Sequence, residues 1–246
     1  MTPADRLAAA YADVLRVHAA RAPGRFSMEV DGLAVVSLGL PERWSNAVLA
    51  LTARPHPHAV AKALGALAAR GLDGQVFIRE RDVDALADLS RIDALPVFAI
   101  SAAGLHGLGS GVRVQGEPFD VVPAESAADF TGVYGSAFDM RPGLAEALVA
   151  DADIAAPGLV HLLGRVAGEI VACALLRPSG GLGYVSAVGV LPAWRGRGIG
   201  TAMLATCADR SAAAGCDVLW LHAAAGSAAF YEGIGFELVD THVALA

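Results

Sequence analysis

The sequence predicts an α/β protein with a mixed, α+β type sheet, and three observations carry that prediction. Short apolar runs rich in β-branched and aromatic residues, such as the one holding Tyr184, Val185, Val188 and Val190, have strand length and stop at proline, here Pro192, where a ladder donor is lost. Between such runs lie segments whose apolar residues recur at helical spacing, as Ile199, Met203, Leu204 and Cys207 do. The 246 residues are 55% hydrophobic and 17% charged, enough to bury one large core or two small ones.

Taken in order, Thr2 and Pro3 have the form of an N-cap and first-turn proline, and Leu7, Tyr11, Val14, Leu15 and His18 share one face of a helix ending near Pro23-Gly24. Arg25 to Leu40 reads as two short strands with Asp31-Gly32 as the hairpin turn. A strand (Asn46 to Thr52), a helix (Ala59 to Arg70, stopped by Gly71), a strand (Gln75 to Arg79), a helix (Val83 to Leu89) and a strand (Leu95 to Ile100) follow. Ser101 to Gly116, rich in glycine and serine, reads as a connection. Its Gly107-Leu108-Gly109-Ser110-Gly111 run is no nucleophile elbow, because that motif needs serine at its centre, between a strand and a helix. The expected division is therefore an N-terminal α/β domain of residues 1–116 and a second domain of residues 117–246.

The second domain opens with a strand (Phe119 to Val122), a helix (Ala127 to Phe138) and a second helix (Gly143 to Val149) that Pro142 is placed to start. A hairpin of Leu159 to Val166 and Glu169 to Leu176 turns at Ala167-Gly168, and Leu182 to Leu191 is the next strand. Helix Ile199 to Ala214, strand Val218 to His222, helix Ala228 to Gly233 and strand Phe236 to Val239 complete the chain. The strand–helix–strand order from Tyr184 echoes the order from Asn46, which points to a degenerate internal repeat.

Chemistry concentrates between the strand that ends at Leu191 and the helix that starts at Ile199. Arg195-Gly196-Arg197-Gly198-Ile199-Gly200 puts glycines and two guanidinium groups at a helix N-terminus, where unpaired N–H groups and the helix dipole favour an anion such as phosphate. The corresponding N-terminal stretch, Arg54-Pro55-His56-Pro57-His58, has prolines that remove amide donors and no glycine, so it is not expected to bind the same ligand. Two histidines there, with no third ligand in sequence, read as a loop and not as a metal site.

The spacing Arg195, Gly198, Gly200 after a strand ending Val190-Leu191-Pro192 resembles the acetyl-CoA loop of the GNAT family of N-acetyltransferases. Phe230-Tyr231-Glu232-Gly233-Ile234-Gly235-Phe236 resembles the family's second signature, an aromatic-tyrosine pair followed by Gly-Phe. The resemblance covers residues 118–246 and implies the GNAT acyl-CoA N-acyltransferase fold, here with an additional N-terminal α/β domain, itself GNAT-like but degenerate. It implies an N-acetyltransferase that moves an acetyl group from acetyl-CoA to a primary amine of a small molecule or peptide. Val188, Gly189 and Val190 would meet the pantetheine arm, and Arg195, Gly196, Arg197, Gly198, Ile199, Gly200 and Thr201 the pyrophosphate. Tyr231 takes the place of the general acid that protonates the departing thiolate, against the alternative that it packs or positions.

The family's frequent glutamate on the strand before the loop is absent, since that strand holds Tyr184 and Ser186 but no carboxylate. An asparagine often found ahead of the tyrosine helix is replaced by Ala223-Ala224-Ala225-Gly226. His222 is the titratable side chain at that strand end, a candidate base whose ordinary pKa near ~6.5 suits the task, or a histidine of the core. Those absences keep open a catalytically silent acyl-CoA sensor or scaffold. A dinucleotide oxidoreductase fits less well, because Gly196-Arg197-Gly198-Ile199-Gly200 is not Gly-x-Gly-x-x-Gly and the strands before it read as antiparallel.

Charge bounds the partners. Residues 1–117 hold 12 acidic and 12 basic side chains, so the whole excess behind the net charge of −7 lies in the later half, where Arg195 and Arg197 are two of six cations. An acidic surface disfavours nucleic acid and steers cationic amines, or serves solubility alone. No apolar run reaches the ~18 residues of a membrane helix, and Asp5 and Arg6 interrupt any signal peptide. A cytoplasmic monomer or homodimer without metal is the expectation. Cys173, Cys207 and Cys216 cannot all pair and lack metal-ligand spacing, and Cys173 in its apolar run reads as a core residue.

Overall fold

The computed structural model describes residues 2–19, 24–105, 112–114, 116–224 and 226–246. In chain order the elements are α1 (Pro3–Ala19), β1 (Phe26–Val30), β2 (Leu33–Ser37), β3 (Asn46–Ala50), α2 (Pro57–Ala68), β4 (Gln75–Arg79) and β5 (Arg91–Ser101). They continue as β6 (Arg113–Val114), β7 (Glu117–Pro123), α3 (Ala127–Ala137), α4 (Leu144–Leu148), α5 (Asp151–Ile154), β8 (Val160–Val166), β9 (Glu169–Ser179) and β10 (Leu182–Val190). The last are α6 (Ile199–Ala213), β11 (Val218–His222), α7 (Ala228–Gly233) and β12 (Glu237–Leu245). These pack as two compact units, Met1–Phe98 with His222–Ala246, and Ala99–Leu221.

In the first unit the strand order is β1-β2-β3-β4-β12-β5. Asp31 and Gly32 both take positive φ, 48° and 80°, the backbone a two-residue hairpin needs. Strands β3 and β4 run parallel, with α2 as the crossover. The predicted last strand ends at Val239, but β12 continues to Leu245, because His242 to Leu245 pair antiparallel with Arg79 to Val76 of β4. Side chains of both partners join one core, in which Val35, Val48, Val60, Leu67, Ile78, Val243 and Leu245 are buried. The predicted helix Val83 to Leu89 is instead a 3₁₀ segment, Glu80–Leu86, whose one buried side chain is Leu86, too little apolar surface to favour a full α-helix.

In the second unit the order is β11-β10-β9-β8-β7-β6, antiparallel throughout except for the parallel pair β10 and β11 joined through α6. The strand–helix–strand unit of the N-terminal half therefore recurs here. Helix α6 buries Ile199, Met203, Leu204 and Cys207 and lies close on the sheet at Gly183, where a Cβ would stand 2.1 Å from Ser211 Oγ. Helix α3 starts at Ser126, whose side chain accepts from the Asp129 amide at 3.1 Å. Ser101 ends β5 and leads into a 3₁₀ turn that buries Ala102 and Leu105, so this end of the expected connection is packed. The Gly107 to Gly111 run and Ala225 lie outside the described residues.

Candidate active site

Strand β10 changes partners along its length, and the site begins there. Leu182 to Val185 pair with β11, and beyond Val185 that pairing ends. On its other edge β10 pairs with β9 as far as Ser186↔Leu175, slips, and resumes at Gly189↔Cys173. Ala187, inside the slip, has φ 51°, the mark of a bulge. The edge of β10 from Ser186 to Val190 thus presents backbone groups with no ladder partner in β11, the place an extended amide-bearing arm can pair. Cys173 lies beneath, its Sγ donating to the Ala187 carbonyl at 3.3 Å, and burial pushes this thiol up to about 12. Neither the bulge nor this contact is named by the sequence motifs; Gly189 within a strand was the available signal.

The loop after β10 turns through Pro192–Trp194, with the Trp194 amide on the Leu191 carbonyl at 2.8 Å. Arg195 donates from Nε to the Val190 carbonyl at 3.0 Å and from Nη2 to the Ala137 carbonyl at 2.8 Å, tying the strand end to the end of α3. Arg197 donates to the Ala193 carbonyl at 3.0 Å and stacks over Trp194, 5.1 Å from the ring centre. Both arginines thus brace the loop while keeping their charge at it, and both are exposed.

Gly196 and Gly198 take φ 74° and 79°, and a Cβ at either would meet nothing within 4 Å, so the sign of φ is what calls for glycine there. Gly198 caps α6 without a side chain, and the first helical return bond is Ala202 N–H to the Gly198 carbonyl at 3.0 Å. The amides of Ile199, Gly200 and Thr201 are left at the open positive end of a 15-residue helix. Helix α2 differs at the same point. His56 Nδ1 accepts from the His58 amide at 3.2 Å, the His56 carbonyl takes the amides of Ala59 and Val60, and Arg54 is held by both carboxylate oxygens of Asp84 at 2.9 and 2.8 Å. That terminus is closed by its own neighbours.

Tyr231 and His222 lie in the first unit. The ring of Tyr231, on α7, is buried, stacked on Phe98 at 6.0 Å and edge-on to Phe236 at 5.7 Å. Among the described residues its hydroxyl has no protein partner, and burial pushes the phenol up to about 12. His222 ends β11, half-buried, with Nε2 2.9 Å from His242 Nδ1 and its ring 4.3 Å from that of Tyr11. Burial, then the neighbouring His242, holds its imidazole well below the usual histidine range.

His242 in turn faces Asp240, 3.9 Å from Nε2, while Arg79 pairs with Asp240 at 2.6 Å and with Asp5. Burial, then Arg79, pushes His242 down to about 3. A group depressed on folding stabilises the fold above its unfolded pKa, near ~6.5, and loses that contribution as pH falls towards its folded value. Urea midpoints are therefore expected to fall between pH 6.5 and the acid limit, and His242→Phe to flatten that slope. An identical slope in the variant would exclude this pair as its source.

Among the described residues no group of three or more His, Cys, Asp or Glu is placed to hold a metal ion, and no helix is long and apolar enough to cross a membrane.

Comparison with known proteins agrees with this arrangement. Residues 130–236 match the Acetyltransferase (GNAT) family. Among solved structures, a GCN5-related N-acetyltransferase from Kribbella flavida superposes with a TM-score of 0.71 at 20% identity, covering 100% of this chain and 95% of that one. A tandem GNAT protein from the clavulanic acid biosynthesis pathway gives 0.60 at 14% identity, covering 99% and 95%. A GCN5-related N-acetyltransferase from Sphaerobacter thermophilus gives 0.57 at 17%, covering 87% and 79%. No curated protein sequence matches. The bulged strand, the open glycine loop and the α6 crossover all fall inside the matched residues, while the superpositions reach the N-terminal half as well. Residues 130–236 of this chain thus match the Acetyltransferase (GNAT) family, and the superpositions show a GNAT-like fold in both halves.

Proposed function

We propose that this protein transfers an acetyl group from acetyl-CoA to a primary amine of a small molecule or peptide. The observation that carries the reading is the pairing, in one βαβ unit, of an uncapped α6 N-terminus behind two positive-φ glycines with a strand edge that leaves its neighbour after Val185. The loop amides from Gly196 to Thr201, with the charges of Arg195 and Arg197, would take the pyrophosphate. The edge around Val188, Gly189 and Val190 would pair with the pantetheine arm and turn an amide towards the thioester carbonyl, where negative charge develops.

In the reaction the amine nitrogen bonds to the thioester carbon, the C–S bond breaks, the sulfur leaves as thiolate and takes a proton, and the amine gives up one of its own. Tyr231 is the proposed donor to sulfur. His222 is the proposed acceptor of the amine proton, directly or through water. Its depressed pKa keeps it neutral at all pH values of interest, so the ascending limb of kcat/KM is expected to follow the pKa of the acceptor amine. Two amines of different pKa, compared across pH 6–10, test this; a limb that stays put would assign it to the enzyme.

The reading as a whole is tested by calorimetry with CoA and by a free-thiol assay against amino acids, polyamines, aminoglycosides and peptides. CoA binding at one site per chain is expected, since the α2 terminus is closed. In Gly198→Val the left-handed backbone costs about 1–2 kcal/mol and the loop is misplaced, so CoA affinity should fall about tenfold or more. Unchanged affinity would move the pyrophosphate elsewhere. Absence of thioester cleavage with any of these amines, despite tight CoA binding, would favour the sensor reading.

A further inference from the structure

Helix α3 carries an aromatic row, Phe130, Tyr134 and Phe138, at four-residue spacing on one face. Phe130 is fully buried, Tyr134 half-buried, and Phe138, at the C-cap, is 43% exposed. Rings of Phe130 and Tyr134 lie 5.7 Å apart, those of Tyr134 and Phe138 5.2 Å apart and edge-on. The row ends against the bulge of β10. A Cβ on Gly189 would stand 2.8 Å from Phe138 Cε2, 2.8 Å from Ala137 Cβ and 3.2 Å from Cys173 Sγ. Glycine there lets an aromatic ring rest on the strand backbone. Arg195 holds the ring's helix in place through the Ala137 carbonyl.

We propose that Phe138 is the wall of the acyl subsite and restricts the transferred group to a short one such as acetyl. The proposal rests on the reading above, in which the edge around Gly189 meets the thioester. The chemistry of the wall favours an acyl chain over a cationic amine. Its side chains, Phe138, Tyr134, Ala137 and Cys173, are uncharged, and burial pushes both the Tyr134 phenol and the Cys173 thiol up to about 12, so neither ionises at neutral pH. An exposed ring costs little fold stability when trimmed, so its presence at the bulge has a steric effect to offer. The half-exposed position also means that truncation opens space towards solvent and not a sealed cavity.

The test compares kcat/KM for acetyl-CoA and hexanoyl-CoA with one acceptor, in the full-length wild type, Phe138→Ala and Phe138→Leu, with CoA affinity by calorimetry and thermal unfolding as controls. Each methylene excluded by a pocket wall is worth roughly tenfold or more in selectivity. Phe138→Ala is therefore expected to raise the hexanoyl-to-acetyl ratio at least about tenfold, Phe138→Leu to lie between, and CoA affinity and melting temperature to stay near wild type. An unchanged ratio, with CoA still bound and acetyl still transferred, overturns the proposal alone. A changed KM for the amine at constant acyl ratio does the same and gives Phe138 to the acceptor. Wild type that binds no CoA overturns both this proposal and the function it rests on.

Discussion

Tyr231→Phe is expected to lower kcat by about 10²-fold while leaving CoA affinity unchanged. General acid catalysis is worth about 10²–10⁴-fold, and the lower end is expected here. A phenol pushed up to about 12 stands roughly 3.5 units above a thiol near ~8.5, so complete proton transfer in the free site is uphill by about 5 kcal/mol. The hydroxyl then acts mainly by hydrogen-bonding sulfur as its charge builds, and the proton follows. The removed atom is one hydroxyl oxygen, and the stacking on Phe98 and Phe236 survives in phenylalanine, so the fold is preserved. Protonation sets the pH signature as well. The acid form is lost only as pH rises through about 12, so no alkaline limb from Tyr231 is expected below about pH 11. Full turnover in Tyr231→Phe would leave Tyr231 a packing residue.

Arg79→Ala is expected to cost about 3–5 kcal/mol of stability, the effect of breaking a buried ion pair from one side. Arg79 is 3% exposed and pairs with Asp240 at 2.6 Å, an aspartate itself largely buried, and with Asp5 at the first turn of α1. Hydrogen bonding to Arg79 holds the Asp5 carboxyl far below the usual carboxylate range. Truncation strands the Asp240 charge in a low-dielectric setting and loosens α1 from β4 and β12. With a urea dependence of about 1–3 kcal/mol/M, the midpoint should drop by about 1–5 M. The double variant with Asp240→Asn should recover part of the loss, because the stranded charge is gone. Equal loss in single and double variants would trace the cost to packing alone.

Local pattern made much of the molecule legible. The hairpin at Asp31-Gly32, the strand at Gln75–Arg79, the α6 start at Ile199 and the hairpin at Ala167-Gly168 all follow from turn chemistry and periodicity acting within a few residues. The glycine loop before α6 was readable for the same reason, since glycine sign, helix start and strand end are neighbours in sequence. The 3₁₀ segment Glu80–Leu86 shows the limit, because whether a weakly apolar run completes a helix depends on what it packs against. The length of β12 shows it again, as its second half exists only where β4 receives it.

Sequence by itself determined the GNAT resemblance of the C-terminal half, the glycine loop from Arg195 to Gly200 and its proline-bearing, glycine-free counterpart at Arg54 to His58, because those features are built from adjacent residues. Tertiary structure alone decided where Arg195 spends its donors, that β10 bulges at Ala187 over Cys173, that Phe138 rests on Gly189, and that His222 is paired with His242 in a chain leading to Arg79. Each of these joins residues from separate elements, and its energy is realised only once the sheet order is set. Periodicity in a sequence records which face a residue presents, but not which partner arrives there.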